Sequence, residues 1–179
     1  MNNFYLDNDD IRFNLEQAGL GEIAALMEDG FRVAPEHDDA PKNAQEAVRR
    51  YEKLLEEFGK IAAEEIAPTA TQTDEIGNVL NEDGSVTYTP GIENALEKLG
   101  GHGFMGLTLP YRYGGLNCPN VLLTATNDIV SRADAALMNL YGLQGIAETI
   151  NDFADDAMKD EFLAEMAAGK KTGAMVLTE

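Results

Sequence analysis

The sequence has few of the residues that build disulfides, metal sites and reactive nucleophiles. Of its 179 residues, one is cysteine, two are histidine and none is tryptophan. The single cysteine, Cys118, excludes an internal disulfide and is typical of a reducing compartment. No histidine or lysine stands beside it to activate the thiol, so we interpret Cys118 as a packing residue rather than a nucleophile.

The two histidines do not suggest a metal centre. His37 and His102 lie far apart in the sequence, and neither stands at metal-ligand spacing from cysteines or carboxylates. The acidic runs at 81–83 and 151–156 lack the pattern of a calcium loop, so we interpret them as turns and helix caps. We therefore expect no metal site.

Positive charge is also scarce. Lysine and arginine total 13 against 32 aspartates and glutamates, which gives a net charge of -19. This balance argues against nucleic acid and anionic membranes as partners. A solubilising surface is the simpler explanation of the acidity, and a docking face for a basic partner is the alternative. No apolar run has membrane-spanning length, and the first residues lack the basic and apolar regions of a signal peptide, so we expect a cytoplasmic protein.

Helical periodicity is what the sequence has in abundance. Residues 44–66 place apolar side chains at steps of three and four, with charged residues on the opposite face. Pro68 is predicted to end this helix. Further helices are predicted from Thr89-Pro90 to Gly100, and after Pro119. The sequence thus predicts an all-α fold, a helical bundle of about six helices.

Two further stretches complete the predicted bundle. Residues 134–154 are rich in apolar and small side chains and are expected to lie centrally. Asp155 or Asp156 is expected to cap a last helix that Gly169 closes. Between 69 and 89 the chain is polar, and either a small hairpin or an ordered loop fits it, the loop being preferred.

The two ends of the chain differ from its middle. Residues 7–15 and 20–29 have room for one or two helical turns each, and 34–41 carries two prolines without periodicity. We expect 1–41 to be an extension packed against a helical domain over 42–170. Residues 172–177 are typical of a strand, so 171–179 is predicted to open a β-domain, and the chain looks truncated there.

One glycine pattern imitates a nucleotide loop. Gly101, Gly103 and Gly106 have the G-x-G-x-x-G spacing that brings backbone N–H groups against a pyrophosphate. That fingerprint requires a strand before it and a helix after it, whereas here a helix is predicted before it and an extended segment after it. We interpret these glycines as a helix end and a tight connector.

Three segments in fixed order carry a family resemblance. They are Leu-Pro-Tyr-Arg-Tyr-Gly-Gly-Leu at 109–116, Ser-Arg-Ala-Asp-Ala-Ala at 131–136, and Gly-Ala-Met-Val-Leu-Thr-Glu at 173–179. Together they resemble the acyl-CoA dehydrogenases: a double-glycine turn between N-terminal helices, a helix junction and a flavin-contacting strand. The resemblance covers about 44–179. The first residues and 81–91 are similar to the extended branch that includes 3-methylmercaptopropionyl-CoA dehydrogenases.

The resemblance implies a mechanism and a set of site residues. Family members use FAD and a carboxylate base to desaturate an acyl-CoA thioester, and they pass electrons to an electron-transferring flavoprotein. The strand match implies flavin contacts from Met175, Leu177 and Thr178, with Met175 replacing the frequent aromatic residue. Leu140, Leu143 and Ile146 are implied to line the far end of the acyl pocket, although core packing also explains them.

The family pattern also implies what these residues do not supply. The catalytic glutamate of the family usually lies in a later helical domain, and no glutamate here matches it, Glu179 included. We therefore expect an N-terminal fragment of an acyl-CoA dehydrogenase, inactive by itself, from a protein that is a homo-oligomer in full-length form. The alternative is a freestanding helical module that binds a protein partner through its exposed apolar face.

Overall fold

The computed structural model describes residues 2–175, in which nine α-helices surround one main apolar core. The helices are α1 Asp9–Gln17, α2 Leu20–Met27, α3 Ala44–Ile61, α4 Ala70–Ile76, α5 Pro90–Gly101, α6 Asn120–Ala133, α7 Ala135–Gly142, α8 Gly145–Phe153 and α9 Asp156–Ala167. The predicted all-α class is confirmed. There are more helices than the six expected, because the N-terminal turns are complete short helices, the stretch 134–154 divides into two helices, and α4 forms in a stretch predicted to be a loop or hairpin.

The longest helix, α3, follows its sequence pattern closely. Asn43 caps its start, where the side-chain oxygen accepts a hydrogen bond of 2.9 Å from the backbone N–H of Glu46. Tyr51, Leu55 and Phe58 lie on the predicted apolar stripe and are completely or almost completely buried. The stripe predicted from periodicity is confirmed, and α3 is the axis on which the other elements pack.

Pro68 does not end the helical path, and that prediction was wrong. After α3, a π-helical turn over Ala62–Ile66 and a 3-10 turn over Ala67–Thr69 carry the chain directly into α4. A proline inside a regular α-helix would lose one hydrogen bond and clash with the carbonyl four residues earlier. The change of helical pitch before Pro68 accommodates the ring, and helical structure resumes immediately after it.

In the polar stretch 69–89, neither a hairpin nor a loop was right for the first part, which forms α4, and the remainder contains the hairpin rather than the preferred loop. Strands β1 Val79–Leu80 and β2 Val86–Thr87 pair antiparallel, with Val79 opposite Thr87 and Leu80 opposite Val86. Thr89 then caps α5, as predicted, and Pro90 is its first residue. Because α5 precedes Gly101 to Gly106 and a 3-10 turn over Phe104–Gly106 follows, the rejection of a nucleotide loop is confirmed.

The stretch 134–154, expected to be central, divides into two helices with different surroundings. Asp134 accepts hydrogen bonds from the N–H groups of Ala136 (2.8 Å) and Leu137 (3.0 Å) and thereby starts α7. Leu137 is fully buried, but in α8 the buried residue is Ala147 alone and Phe153 is 84% exposed. The predicted central placement is therefore correct for α7 and wrong for α8. Glycines at 142 and 145 flank the break between the two helices and favour a change of direction there.

Two apolar clusters organise the interior. The larger cluster is built around α3, α5, α6 and α7 and includes Phe58, Phe104 and Tyr141. The smaller cluster lies under α8 and α9. Its buried members are Leu109, Tyr113, Ala147, Leu163, Met166 and Ala167. Asp155 caps α9 and Gly169 follows its end with a φ of 71°, as predicted from the sequence.

Both ends of the described chain pack on these clusters. Ile11, Leu15, Leu20 and Ala24 of the first two helices belong to the larger cluster. At the other end, residues 172–175 have no regular secondary structure, and the remainder of the predicted strand lies outside the described residues. The division at residue 41 and the start of a β-domain at 171 stay predictions.

Candidate functional site

The candidate site is an apolar cleft of about 300 Å³ where the C-terminal segment crosses α8 and α9. It is lined by Ile146, Ile150, Phe162, Met166, Lys171, Thr172 and Gly173. Ile146 and Ile150 are one helical turn apart on α8, and Phe162 and Met166 are one turn apart on α9, so each helix presents one short apolar face. The cleft thus lies where the smaller cluster meets the end of the described chain.

A glycine fixes the last segment against this cleft. A Cβ atom at Gly173 would lie 2.8 Å from Cβ of Ile146, closer than side chains tolerate. The backbone at 173 therefore rests directly on α8, and only glycine permits this approach. Two residues later, Met175 is 55% exposed. The contact with Ile146 positions the segment that leads into the predicted flavin-contacting strand.

The structure separates the three predicted acyl-lining residues. Ile146 lines the cleft, as a residue of the site should. Leu140 is half-buried and packs against the larger cluster, and Leu143 is half-buried at the break between α7 and α8. Of the predicted flavin-contacting residues, Met175 is exposed beyond the cleft, whereas Leu177 and Thr178 lie outside the described residues. All six assignments stay predictions.

Charge at the rim of the cleft is held by an exposed ion pair. Lys171 Nζ lies 2.6 Å from Glu165 Oε2 and 5.5 Å from the centroid of the Phe162 ring. Hydrogen bonding to Glu165 raises the pKa of Lys171, and the same bond lowers the pKa of Glu165. Both groups therefore stay charged at neutral pH. The pair ties the segment after α9 back to α9 itself.

Two buried polar side chains at the start of α8 were missed from the sequence. Gln144 is 5% exposed, yet neither its amide nitrogen nor its amide oxygen has a hydrogen-bond partner among the described residues. One helical turn later, Oε1 of Glu148 is buried and lacks a partner in the same part of the chain. Gln144 continues the helical spacing of the buried Leu137 and Tyr141. A polar residue on that apolar stripe was the feature of the sequence that could have indicated a buried polar side chain.

The double-glycine turn at 109–116 is a structural clamp. A Cβ atom at Gly115 would lie 2.0 Å from the carbonyl oxygen of Leu109, so only glycine fits there. The hydroxyl group of Tyr113 donates to Asp160 of α9 at 3.3 Å. The hydroxyl group of Tyr111 donates to Glu28 at 2.9 Å. The turn therefore joins α9 to the N-terminal extension.

Glu28 is the buried partner of that clamp. The residue is completely buried, and its Oε1 also accepts a hydrogen bond of 3.2 Å from Asn117. Its other oxygen, Oε2, has no hydrogen-bond partner within residues 2–175. Arg50 of α3 supports the same turn by donating to the carbonyl oxygen of Leu116 at 3.0 Å. Nothing in the sequence around Glu28 marks it as buried.

Cys118 and the two histidines lie in different surroundings. Cys118 is completely buried, and burial raises the pKa of its thiol to about 12, which confirms it as a packing residue. His37 lies beside the ring of Tyr111, and His102 contacts Glu57 at 2.6 Å. Within residues 2–175, no group of three metal-ligating side chains gathers, and no helix is long and apolar enough to cross a membrane.

Comparison with known proteins agrees with this architecture. The model of the acyl-CoA dehydrogenase N-terminal domain matches residues 49–170. The chain is 31% identical over 147 residues to the 3-methylmercaptopropionyl-CoA dehydrogenase of Ruegeria pomeroyi, a match covering 75% of this chain and 24% of that protein. It is 25% identical to the mitochondrial isovaleryl-CoA dehydrogenase of Pongo abelii, covering 79% and 31%. It is 29% identical to an acyl-CoA dehydrogenase of Bacillus subtilis, covering 71% and 30%.

The matches align this chain with one part of longer proteins. It spans about a quarter to a third of the length of these curated relatives. The matched segment runs from α3 to the residues just after α9, and therefore includes the clamp, the helix junction and both sides of the cleft. The chain belongs to the acyl-CoA dehydrogenase family and contains its all-α N-terminal domain.

Proposed function

We propose that this chain supplies the N-terminal helical domain of an FAD-dependent acyl-CoA dehydrogenase, which introduces an α,β double bond into an acyl-CoA thioester. The observation that carries the proposal is the domain match over 49–170. The contact between Gly173 and Ile146 adds to it, because a segment held this closely can present the residues that follow in a fixed position. The proposal extends the family assignment to a cofactor and a reaction.

The proposed function puts the end of the described chain at the edge of a flavin. FAD, when bound, would accept the β-hydrogen of the acyl group as hydride. In this chain, Ile146 and the ion pair of Lys171 hold the backbone that leads to Met175. We assign flavin contacts to Met175, to the backbone of Leu177 and to Thr178. A backbone contact at 175 would not depend on the aromatic side chain that methionine replaces.

The helical domain would also form one wall of the acyl site. Leu140, Leu143 and Ile146 occupy successive turns across the break between α7 and α8, and all three are half-buried. Partial burial leaves apolar surface on each that an acyl chain could cover. Their part is to exclude water and orient the chain, since none carries a group that moves protons.

The 179 residues are proposed to be inactive alone. No glutamate here matches the family's base, and most contacts to FAD and CoA would come from sequence outside the matched domain. The acyl-CoA substrate, an electron-transferring flavoprotein as acceptor, homo-oligomer assembly and a cytoplasmic location belong to the proposed full-length enzyme. Each follows from family membership or composition rather than from a contact within residues 2–175.

A hybrid enzyme tests the proposal. This chain would replace the matched N-terminal segment of the Ruegeria pomeroyi relative, whose remaining sequence would follow Glu179. The hybrid is expected to purify with bound flavin and to reduce an artificial electron acceptor with an acyl-CoA, whereas the 179-residue chain with added FAD should not. A folded hybrid that binds no flavin, or an active 179-residue chain, would contradict the proposal.

A substitution in the hybrid tests the acyl wall. Ile146→Trp fills the cleft, and we expect kcat/KM to fall by roughly tenfold or more, because pockets discriminate side groups of even one methylene by about that factor. The exposed control Glu161→Gln should stay within about twofold, as surface substitutions usually do. Equal activity of wild-type and Ile146→Trp hybrids would show that Ile146 does not line the acyl site.

A helical interaction module is the second candidate. It is favoured by two large apolar side chains on the α8–α9 face, Phe153 at 84% exposure and Met158 at 52%. Exposed apolar surface of this kind marks interaction sites. In an acyl-CoA dehydrogenase the same surface would meet other parts of the enzyme. Failure of every catalytic hybrid, together with a stable complex through this face, would favour the module.

A further inference from the structure

A second, larger groove shares no lining residue with the cleft of the candidate site. It has a volume of about 860 Å³ and is formed where the N-terminal segment and helices α1 and α2 meet α3. We call it the N-terminal groove. Its floor is apolar and is made by Tyr5, Leu15, Leu20, Val48, Tyr51 and Leu55. Neither the proposed reaction nor the clamp at Glu28 uses this surface.

The groove is elongated. On α3 its lining begins at Ala44 and recurs at Val48, Tyr51 and Leu55, which are steps of one helical turn along a single face, and it ends at Glu56. With a rise of 1.5 Å per residue, this face is about 18 Å long. Such a length equals about three turns of another helix laid along it. Shape therefore favours a helical segment over a compact small molecule.

The rim of the groove is acidic. Glu16, Glu22, Glu52 and Glu56 line it, and none of them forms an ion pair with a residue in the described range. The basic side chain in the lining, Arg12, is paired with Asp9. The negative charge of Asp9 therefore largely offsets the positive charge of Arg12 in the unliganded groove.

Three of these carboxylates act at one point. The pKa of Tyr5 is raised first by burial, then by the negative charge of Glu52, with further contributions from Glu56 and Glu16, while Arg12 opposes them. Glu16, Glu52 and Glu56 line the same groove as this phenol, so their charges lie near one another. An anionic mouth above an apolar floor complements a cationic amphipathic ligand.

The opening of the groove is unobstructed at its glycine-rich edge. Gly19 adopts a left-handed conformation with a φ of 66°, and no atom lies within 4 Å of the Cβ position that another residue would have. Leu6 stands at the same mouth with 47% of its surface exposed. Apolar contact is thus available at the entrance as well as on the floor.

From these features we propose that the N-terminal groove docks a basic amphipathic helix of a protein partner. Its leucine-like side chains would lie on the floor between Leu15 and Leu55, and its lysines or arginines would meet Glu16, Glu52 and Glu56. A second copy of this chain fits poorly as the occupant, because each copy carries a net charge of -19 and would bring acid to an acidic rim.

The test uses a synthetic 14-residue peptide of leucine and lysine at helical spacing, with a leucine and glutamate peptide as its counterpart. Isothermal titration at physiological salt should show binding of the lysine peptide and none of the glutamate peptide. The triple variant Glu16→Gln, Glu52→Gln and Glu56→Gln should weaken binding by roughly tenfold, since each exposed ion pair contributes a fraction of a kcal/mol.

A matched control separates the groove from general acidity. The triple variant Glu75→Gln, Glu82→Gln and Glu161→Gln removes the same charge at exposed positions outside the groove. It should leave the dissociation constant within about twofold, because surface charges beyond a Debye length are screened. Equal weakening by both triples would show diffuse attraction and would overturn the proposal.

Blocking the groove tests the apolar part of the contact. Ala25 lines the groove and is half-buried, so Ala25→Phe would fill space that the peptide needs. Binding should fall by roughly tenfold or more while circular dichroism stays unchanged. Should that variant not fold, hydrogen exchange of the wild-type chain decides, since the peptide must protect residues 12–25 and 44–56. Protection elsewhere, or a wild-type dimer that Ala25→Phe dissociates, would overturn the proposal.

Discussion

The larger and the smaller apolar clusters differ in how completely the chain encloses them. The larger cluster has 26 buried members drawn from the first helix to the seventh, and its aromatic centre is closed on all sides. The smaller cluster has six, and the two helices above it leave Phe153 and Met158 exposed. We infer that the larger cluster holds the fold, whereas the smaller one forms a surface that further contacts can complete.

The features of the candidate site follow the same division, whereas the N-terminal groove lies on the larger cluster. The candidate cleft and the contact of Gly173 with Ile146 both lie on the smaller cluster's side. Under the proposed function this domain meets a cofactor and other domains, and unfinished apolar surface is expected where those contacts form. Substitutions can therefore separate a folding half, the larger cluster, from a docking half, the candidate site on the smaller cluster, and we rank them from the largest expected effect to the smallest.

The largest effect is expected at the centre of the larger cluster. Phe58 is fully buried, with its ring centroid 5.0 Å from that of Phe104 and 5.4 Å from that of Tyr141. Phe58→Ala should lower the free energy of unfolding by about 3–5 kcal/mol, through lost burial and a cavity. Urea unfolding measures this change, and the exposed Phe13→Ala serves as control. A loss below about 1 kcal/mol would contradict a closed core.

A smaller and more local effect is expected in the smaller cluster. Leu163 of α9 is fully buried there. Leu163→Ala should cost about 3 kcal/mol locally, which is within the usual range for such truncations. Native-state hydrogen exchange should show α8 and α9 opening before α3 and α6, because the smaller cluster that holds them buries fewer apolar side chains than the larger one. Uniform acceleration of exchange in all helices would show that the two clusters are one cooperative unit.

The polar contact beside the larger cluster ranks next. Glu28→Ala would leave the hydroxyl group of Tyr111 without its acceptor and the amide group of Asn117 with the carbonyl oxygen of Met27 alone, at a cost of about 2 kcal/mol. Glu28→Gln keeps an oxygen acceptor and replaces one carboxylate oxygen by an amide group, so its cost should be clearly smaller. Chemical denaturation of both variants measures the difference. Equal costs would mean that the negative charge of Glu28, rather than its hydrogen bonds, matters.

Sequence patterns predicted the elements of the larger cluster well because local rules dominate there. The stripe of α3 and the cap at Thr89 each depend on a few neighbouring residues, and the structure contains both. Pro68 was misjudged for the same reason. A general rule about proline ignored the π-helical turn that precedes it.

The candidate site was less predictable because its features depend on residues brought together only by folding. Nothing near Gly173 indicates that it touches Ile146, and nothing near Glu28 indicates that Tyr111 and Asn117 meet it. Phe153 was expected inside on hydrophobicity, yet it is exposed. Composition cannot distinguish an apolar side chain that packs in a core from an exposed one that contacts a partner.

An alkaline titration tests whether the larger cluster excludes water around Cys118. Because burial raises the pKa of this thiol to about 12, the folded protein keeps it neutral while the unfolded chain ionises above its ordinary value near 9.0. The contribution of the neutral thiol to the free energy of unfolding is fully present below pH 9 and decreases as the pH rises toward 12. At pH 10 the loss should be about 1.4 kcal/mol.

The matched variant isolates the thiol. Cys118→Ala has no group to ionise, so its unfolding free energy should change less between pH 8 and pH 10 than that of the wild type. Tyrosine ionisation affects both proteins alike and cancels in the difference. Urea unfolding at each pH, with a reductant present, measures it. Identical pH profiles would mean that water reaches Cys118 and that the larger cluster is less closed than its burial indicates.

The smallest effect on stability is expected on the open side of the smaller cluster, where Phe153 has 84% of its surface in solvent. Phe153→Ser should change the free energy of unfolding by no more than about 0.5 kcal/mol, because little buried surface is lost. The same variant should bind less of a hydrophobic dye and self-associate less, since it removes the most exposed part of an apolar face. A substantial loss of stability would show that Phe153 already packs within this domain. The α8–α9 face would then be part of the folding core, and the proposed separation between a folding half and a docking half would fail.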